Sequence, residues 1–346
     1  MPPAPRRGPL LAFLCVAAAP SHAHPPPPPQ LAVTVFPRQT WALLRVSTLT
    51  PYSTLACDIV PAAGGPAIWS RAMPAPGAVS QLLEVEARPS QPPNQWDTAS
   101  PALYSLTCGD GHQPNVTVRF GFRDFAARDG QFLLNGRPIF VRGWSINPPG
   151  RSLPAAAANK SFALDYLRWM RDKAGVNAHR IGDGASSSNQ HWYDASDELG
   201  LLIFSGPYGG VQCPGCSSGL SLEARLNASV GRYQSVLMET ASHPSHVILI
   251  LSNEVGLDDT PSWHSGKNAD TAFLRNVSRA LARWDGSRAY LGDAGFGLGR
   301  GGEVNDDHTY LLPSSDESSD ISETTEFYHM RWNISELHRL ESNCPR

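Results

Sequence analysis

Nowhere in the chain do about 20 apolar residues run together, so no transmembrane helix is expected. Charge is scarce, at 17% of residues against about 25% in ordinary globular proteins. Neither sign dominates, because 28 Lys and Arg face 31 Asp and Glu for a net −3. There is no basic excess to gather nucleic acid, and neither a nucleic-acid nor a membrane partner is expected. Several catalytic signatures are missing as well: no HExxH, no Walker A loop and no GxSxG elbow. Gly297-Leu-Gly299-Arg-Gly301-Gly302 has the letters of a dinucleotide fingerprint but leads into Glu303-Val-Asn-Asp-Asp rather than a helix. Cysteine is sparse, with six residues. Cys57 and Cys108 lie in one strand-rich region and could pair. Cys213-Pro-Gly-Cys216 is a single CxxC with no second ligand pair, and Cys344 is left over. No metal and no cofactor are expected.

What is present falls into zones. Arg6 and Arg7 precede an apolar stretch from Pro9 to Ala19, and Ser21-His22-Ala23 fits a cleavage site, so residues 1–23 read as a signal peptide. A secreted or lysosome-like endomembrane location follows, and Asn115, Asn159, Asn227, Asn276 and Asn333 each open a glycosylation sequon. Residues 24–30 are a polyproline leader. From 31 to 124, short strands broken by Pro and Gly predict an Ig-like β-sandwich, with strands at Leu31–Phe36, Ala42–Thr48, Ser80–Ala87, Tyr104–Thr107 and Val116–Phe120.

From 125 to 346, strands alternate with helices. Strands are predicted at Phe140–Trp144, Asn177–Ile181, Leu201–Phe204, Val247–Leu251, Ala289–Leu291 and Val304–Tyr310. Helices are predicted over Ser161–Ala174, over His191–Leu199, around Leu226–Leu237 and around Leu274–Trp284. This texture means a parallel sheet covered by helices. A (β/α)8 barrel takes about 250 residues and eight strands. Six strands are legible here, so the barrel is expected to be incomplete at its C-terminal side.

The sharpest chemical feature is Ser252-Asn253-Glu254, directly after the apolar run Val247–Leu251. In parallel β/α folds the C-terminal strand ends face the site, and a carboxylate at such a half-desolvated mouth can act as a general acid. Trp144, Asn147, Arg180, Asp183, Asp293, Asp307, His308 and Tyr310 stand at other strand ends and extend the ring. Arg180 is suited to holding a carboxylate ionised.

Ordered segments then carry a resemblance. They are Trp96-Asp97 with Pro101-Ala-Leu-Tyr104, Phe120-Gly-Phe-Arg123, Phe132-Leu-Leu-Asn-Gly-Arg-Pro-Ile139 and Arg142-Gly143. Gly175-Val-Asn177 with Arg180, Trp192-Tyr-Asp194, Asp197-Glu-Leu-Gly-Leu-Leu202 and His243-Pro-Ser245 with Val247–Glu254 complete the set. Together they resemble glycoside hydrolase family 2, the β-glucuronidases, β-galactosidases and β-mannosidases. The resemblance implies an Ig-like domain before a TIM barrel and a retaining exo-β-glycosidase acting on a carbohydrate. It makes Glu254 the acid/base, Asn253 a ligand of the sugar 2-hydroxyl, Arg180 the orienter of the nucleophile, and Asn147 and Tyr310 substrate-binding residues. The family's nucleophilic glutamate matches Glu326, in Thr325-Glu326-Phe327, only 16 positions after Tyr310. After Arg180 the family's His and Pro are replaced by Ile181-Gly-Asp-Gly184. The rival reading is a non-catalytic carbohydrate-binding or interaction protein that keeps only the pocket, or a truncated product without the nucleophile.

Overall fold

A computed structural model describes residues 31–48, 54–74, 82–111, 115–146, 159–182, 190–206, 221–253, 271–292, 294, 296–297, 306–309 and 329–331. Seven antiparallel strands come first: β1 (Leu31–Pro37), β2 (Ala42–Thr48), β3 (Thr54–Pro61), β4 (Trp69–Pro74), β5 (Leu83–Ala87), β6 (Tyr104–Gly109) and β7 (Val116–Phe120). They form two sheets, in the orders β1-β2-β5 and β4-β3-β6-β7. Alternation along β3 sends Leu55, Cys57 and Ile59 inward and leaves Thr54, Ala56 and Asp58 exposed. One core takes Val33, Val35, Leu44, Val46 and Val85 from the first sheet and Leu55, Ile59, Leu106 and Phe120 from the second. Cys57 sits opposite Cys108 in the β3–β6 register, and the two are joined as a disulfide.

A small three-stranded meander follows: β8 (Phe125–Arg128), β9 (Gln131–Leu134) and β10 (Arg137–Pro138). Its turns are Asp129-Gly130, with φ of 52° and 75°, and Asn135-Gly136, with φ of 53° and 76°. Consecutive positive φ values are what a two-residue hairpin needs, and Asp-Gly and Asn-Gly supply them.

Five parallel strands come next: β11 (Gly143–Ile146), β12 (Ala178–Gly182), β13 (Leu202–Gly206), β14 (His246–Ile250) and β15 (Ala289–Leu291). They pair in chain order as one sheet. The intervening helices are α1 (Lys160–Ala174), α2 (Gln190–Leu199), α3 (Leu222–Thr240) and α4 (Thr271–Trp284). Helix α1 starts at Asn159, whose side chain accepts from the backbone N–H of Ser161 and Phe162, and ends at Gly175 in the left-handed conformation. Ala163, Leu167 and Met170 form its buried stripe, while Phe162 is 37% exposed. Strand β14 is buried throughout, as a strand covered on both faces must be. No helix among the described residues is long and apolar enough to cross a membrane.

The two faces of the parallel sheet have different coverings. On one, Ile181, Ile203, Leu249, Leu251 and Tyr290 meet the helices. On the other, Ala178, Leu202, Phe204, Ile248, Ile250 and Leu291 meet Phe125, Phe132 and Leu134 of the meander. Burying each of these large side chains is worth roughly 2 kcal/mol. The meander therefore plugs one end of the inner face and leaves the C-terminal strand ends for other residues.

Two sequence expectations need correcting. Among the described residues the parallel strands make an open sheet of five, not six. The expected sixth strand appears as β17 (Asp306–Thr309), between β16 (Phe296–Gly297) and β18 (His329–Arg331), and both pairings are antiparallel. Its sequence, Asp306-Asp-His-Thr309, lacks the apolar run that a doubly covered strand requires.

The sandwich is bolted to the α/β region by buried arginines. Arg123 is fully buried and donates to the carbonyls of Pro244 (2.9 Å), His246 (2.7 Å) and Ser287. Burial, with Arg288 nearby, pushes its pKa down to about 9. Arg45 donates to the Trp284 carbonyl at 2.7 Å and lies 3.9 Å over that indole.

Candidate active site

Arg180 on β12 and Asn253, just past the end of β14, are buried at 4% and 3% exposure. Arg180 Nη2 donates to Asn253 Oδ1 at 2.5 Å. Strands β12 and β14 are separated by β13, so the two side chains meet across the inner face, as residues of alternate strands do in a barrel layer. Asn253 is placed by a continuation of the β14–β15 pairing. Leu251 N–H donates to the Leu291 carbonyl (2.9 Å), Ala294 N–H donates to the Ser252 carbonyl (2.9 Å), and Ser252 Oγ donates to the Gly292 carbonyl (2.7 Å). Close packing of β13 on β14 fixes the level: a Cβ on Gly206 would lie 2.3 Å from Ile250 Cβ. Since the amide oxygen of Asn253 is taken by a guanidinium, its NH2 end is the one turned toward other partners. Asn253 is thereby set up as a donor to an oxygen.

The groups behind this pair are held neutral. His179 is fully buried, contacts Ser196 Oγ at 2.7 Å through Nε2, and burial lowers its pKa to about 3. His246 is likewise pushed well below the usual histidine range by burial and by Arg288 and Arg123. Burial raises the Tyr193 phenol, which donates to Ser205 Oγ at 2.8 Å.

Of the other residues expected at the site, Glu254, Asn147, Tyr310, Glu326, Asp183 and Asp293 lie outside the described residues. Trp144 does not join the ring. It is in register with His179, whose ring contacts α2, so it stands on the helix side of β11 and is 52% exposed. Asp307 and His308 belong to β17, outside the parallel sheet.

A second polar cluster was not foreseen. Asp197 is fully buried, accepts from Ser245 N–H (3.1 Å) and pairs with His243 Nδ1 (2.6 Å), while His243 Nε2 meets Gln190 Oε1 (3.0 Å). Asp194, Asp197 and His243 form the one group among the described residues whose ligand atoms are spaced for a metal. Asp194 is already paired with Arg119 at 2.9 Å. The cluster precedes β13 and β14, at the strand ends opposite Asn253, and it anchors the loop entering β14. The sequence signal was present in Asp197 and His243-Pro-Ser245, but nothing in it separates anchoring from catalysis. A cleft of about 690 Å³ also lies away from Arg180 and Asn253, lined by Gln39, Asn94, Asp97, Ser100, Asn135 and Arg137 among others.

No protein-family model matches the chain. Curated proteins do. A putative β-glucuronidase of Formosa agariphila is 29% identical over 217 residues, which is 60% of this chain and 25% of that protein. A β-galactosidase of Photobacterium profundum is 26% identical over 172 residues, covering 47% of this chain and 16% of the relative. In sequence the chain is similar to proteins named β-glucuronidase and β-galactosidase. This agrees with the resemblance to glycoside hydrolase family 2 carried by the ordered motifs. The chain spans a quarter or less of the length of these two curated relatives. Among solved structures, the β-glucuronidase of Parabacteroides merdae superposes with a TM-score of 0.55 at 21% identity, over 75% of this chain and 34% of the other. β-Glucuronidase 3 of Bacteroides uniformis gives 0.52 at 18% identity, over 76% and 32%. These likenesses establish a shared fold.

Proposed function

We propose that this chain carries the acid/base half of a retaining β-glycosidase site, with an Ig-like domain at 31–124 and a TIM-barrel-type catalytic domain at 125–346. The observation that carries the reading is the buried Arg180–Asn253 contact on the inner face, one residue before Glu254. Named relatives acting on β-glucuronides and β-galactosides support a β-glycoside of a uronic acid or a neutral hexose as substrate.

In this reading Glu254 protonates the departing glycosidic oxygen and then deprotonates the water that releases the sugar. A second carboxylate attacks the anomeric carbon from about 5–5.5 Å away, and Glu326 is the candidate in this chain. Asn253, its amide turned by Arg180, donates to the sugar 2-hydroxyl. Arg180 also supplies positive charge that keeps the nucleophile ionised. Asn147 and Tyr310 complete the contacts to substrate. The disulfide between Cys57 and Cys108 supports passage through an oxidising compartment, in line with a signal peptide at 1–23.

The test is hydrolysis of aryl β-glucuronides and β-galactosides by the purified chain and its Glu254→Gln variant. Turnover should fall by about 10²–10⁴ on loss of the acid/base, and added azide should restore release from substrates with good leaving groups. A fluorosugar should label Glu326. No turnover by the parent chain, or unchanged turnover in Glu254→Gln, would sink the assignment.

A further inference from the structure

We propose that the glycosylation sequons fall into two classes: Asn115 and Asn159 accept an N-linked glycan on the folded chain, whereas Asn227 and Asn276 accept one only before α3 and α4 form. In cells this rests on the signal peptide proposed at 1–23. Asn333 lies outside the described residues. A sequon consists of an asparagine and a hydroxyl two positions later, and an enzyme that reads both must reach both from one side. In an extended chain, residues i and i+2 share a face. In an α-helix they stand about 200° apart around the axis and do not face each other. The local backbone therefore decides whether a folded sequon is readable.

Asn115-Val-Thr117 leads into β7, and its asparagine and threonine are both exposed. The Thr117 hydroxyl meets Thr107 Oγ1 at 3.1 Å on that same open surface. Asn159 precedes α1 in an extended conformation, with φ −141° and ψ 110°, and both Asn159 and Ser161 are exposed. The other two sequons lie inside helices. Asn227 on α3 and Asn276 on α4 are exposed, but Ser229 is 0% and Ser278 3% exposed. Ser229 shares the buried stripe of α3 with Tyr233 and Leu237, at i, i+4 and i+8. Ser278 sits beside Val277, between Leu274 and Leu281, on the buried side of α4. Helix formation thus turns each serine into the core while its asparagine stays outside.

The donor is a lipid-linked oligosaccharyl diphosphate. The asparagine Nδ2 forms a bond to the anomeric carbon, the bond from that carbon to the diphosphate oxygen breaks, Nδ2 gives up one proton, and the lipid diphosphate leaves. At Asn227 and Asn276 a folded helix offers the nitrogen without the hydroxyl. Sugar attached earlier does not oppose folding, because both asparagines end on the solvent side. Helices α3 and α4 cover the face of the sheet opposite the Arg180–Asn253 contact, so these glycans leave the site uncovered. A glycan at either position records that attachment came before folding.

The test needs neither secretion nor hydrolysis. Unglycosylated full chain is incubated with an oligosaccharyltransferase and a lipid-linked oligosaccharyl diphosphate, once after refolding and once diluted straight from denaturant. Glycopeptide mass spectrometry then reads each site. The refolded chain should be modified at Asn115 and Asn159, and at least about tenfold less at Asn227 and Asn276, where the rate follows the small population of open helix. The chain diluted from denaturant should be modified at all four. Equal modification of the four sites on the refolded chain would overturn the proposal. So would refusal of Asn115 and Asn159 alongside the other two, or refusal of Asn227 and Asn276 by the unfolded chain. An unmodified chain from a secretory host would instead sink the signal peptide, with the contrast on the purified chain unaffected.

Discussion

In the sandwich, the inward side chains of β3 and β6 include Leu55, Cys57, Ile59, Leu106 and Cys108, all buried and all apolar. The parallel strands bury His179, Arg180, Ser205 and His246 among their aliphatic residues. The first region spends burial on cohesion. The second keeps polar atoms in the interior at a cost: His179 Nδ1 and His246 Nε2 are buried without a hydrogen-bond partner, and each such group costs about 1–3 kcal/mol. The sandwich has two such atoms of its own, Arg45 Nη1 and Thr48 Oγ1, so the contrast lies between the centres of the two cores, and the buried arginines join them.

The largest expected effect tests the sandwich alone. Replacing both Cys57 and Cys108 by alanine removes a cross-link spanning 51 residues, worth about 4 kcal/mol by chain entropy. Chemical denaturation should show that loss. An unchanged midpoint would mean that the apolar core suffices without the link.

Cutting the connection comes next. Arg123→Met leaves three backbone carbonyls without their buried donor, at a cost of roughly 3 kcal/mol. Calorimetry should then resolve two transitions, with the α/β region melting first. A single transition at the parent temperature would show that Arg123 does not couple the regions.

Acid should act on one region and spare the other. His179 titrates near 3 in the folded chain and near 6.5 when unfolded. Between those values the unfolded chain binds a proton that the folded chain refuses, so stability falls as pH drops below 6.5. The slope approaches about 1.4 kcal/mol per pH unit for each such group. His246, lowered in the same direction, adds to it. The described sandwich strands contain no histidine. In the uncoupled Arg123→Met variant, melting followed from pH 7 to pH 5 should show the α/β transition moving and the sandwich transition holding, with a smaller shift when His179→Gln is added.

The smallest effect lies at the meander. Gly136→Ala places a side chain at φ 76° and should cost about 1 kcal/mol, loosening the plug beneath the inner face. Hydrogen exchange at Phe132 and Leu134 would detect it.

How much of this was legible depended on local signals. Ala42–Thr48, Val116–Phe120 and Ala289–Leu291 appear at the predicted boundaries, because alternation or an apolar run marks them. β4 was missed because it buries one residue, Met73, and alternation cannot be read from one position. The meander was missed although Asp129-Gly130 and Asn135-Gly136 announce its turns, since its strands are too short for a periodic signal. At the site, Arg180 and Asn253 were readable as strand-end residues. Their contact was not, because it joins positions 73 apart through a strand order that only the folded sheet supplies. Arg123 was visible as part of a motif, but its three carbonyl partners belong to segments more than 120 residues away.

Asn159 has one more consequence. It caps α1 through its amide oxygen, which accepts from Ser161 N–H at 2.9 Å and Phe162 N–H at 3.4 Å. It also opens the sequon Asn159-Lys-Ser161. A glycan is attached at the amide nitrogen, and attachment there leaves the capping oxygen in place. Helix initiation and sugar attachment thus use opposite ends of one side chain and do not compete. Asn159→Asp would remove the acceptor nitrogen of the sequon and keep the cap, whereas Asn159→Ala would lose both and loosen the helix start by about 1 kcal/mol.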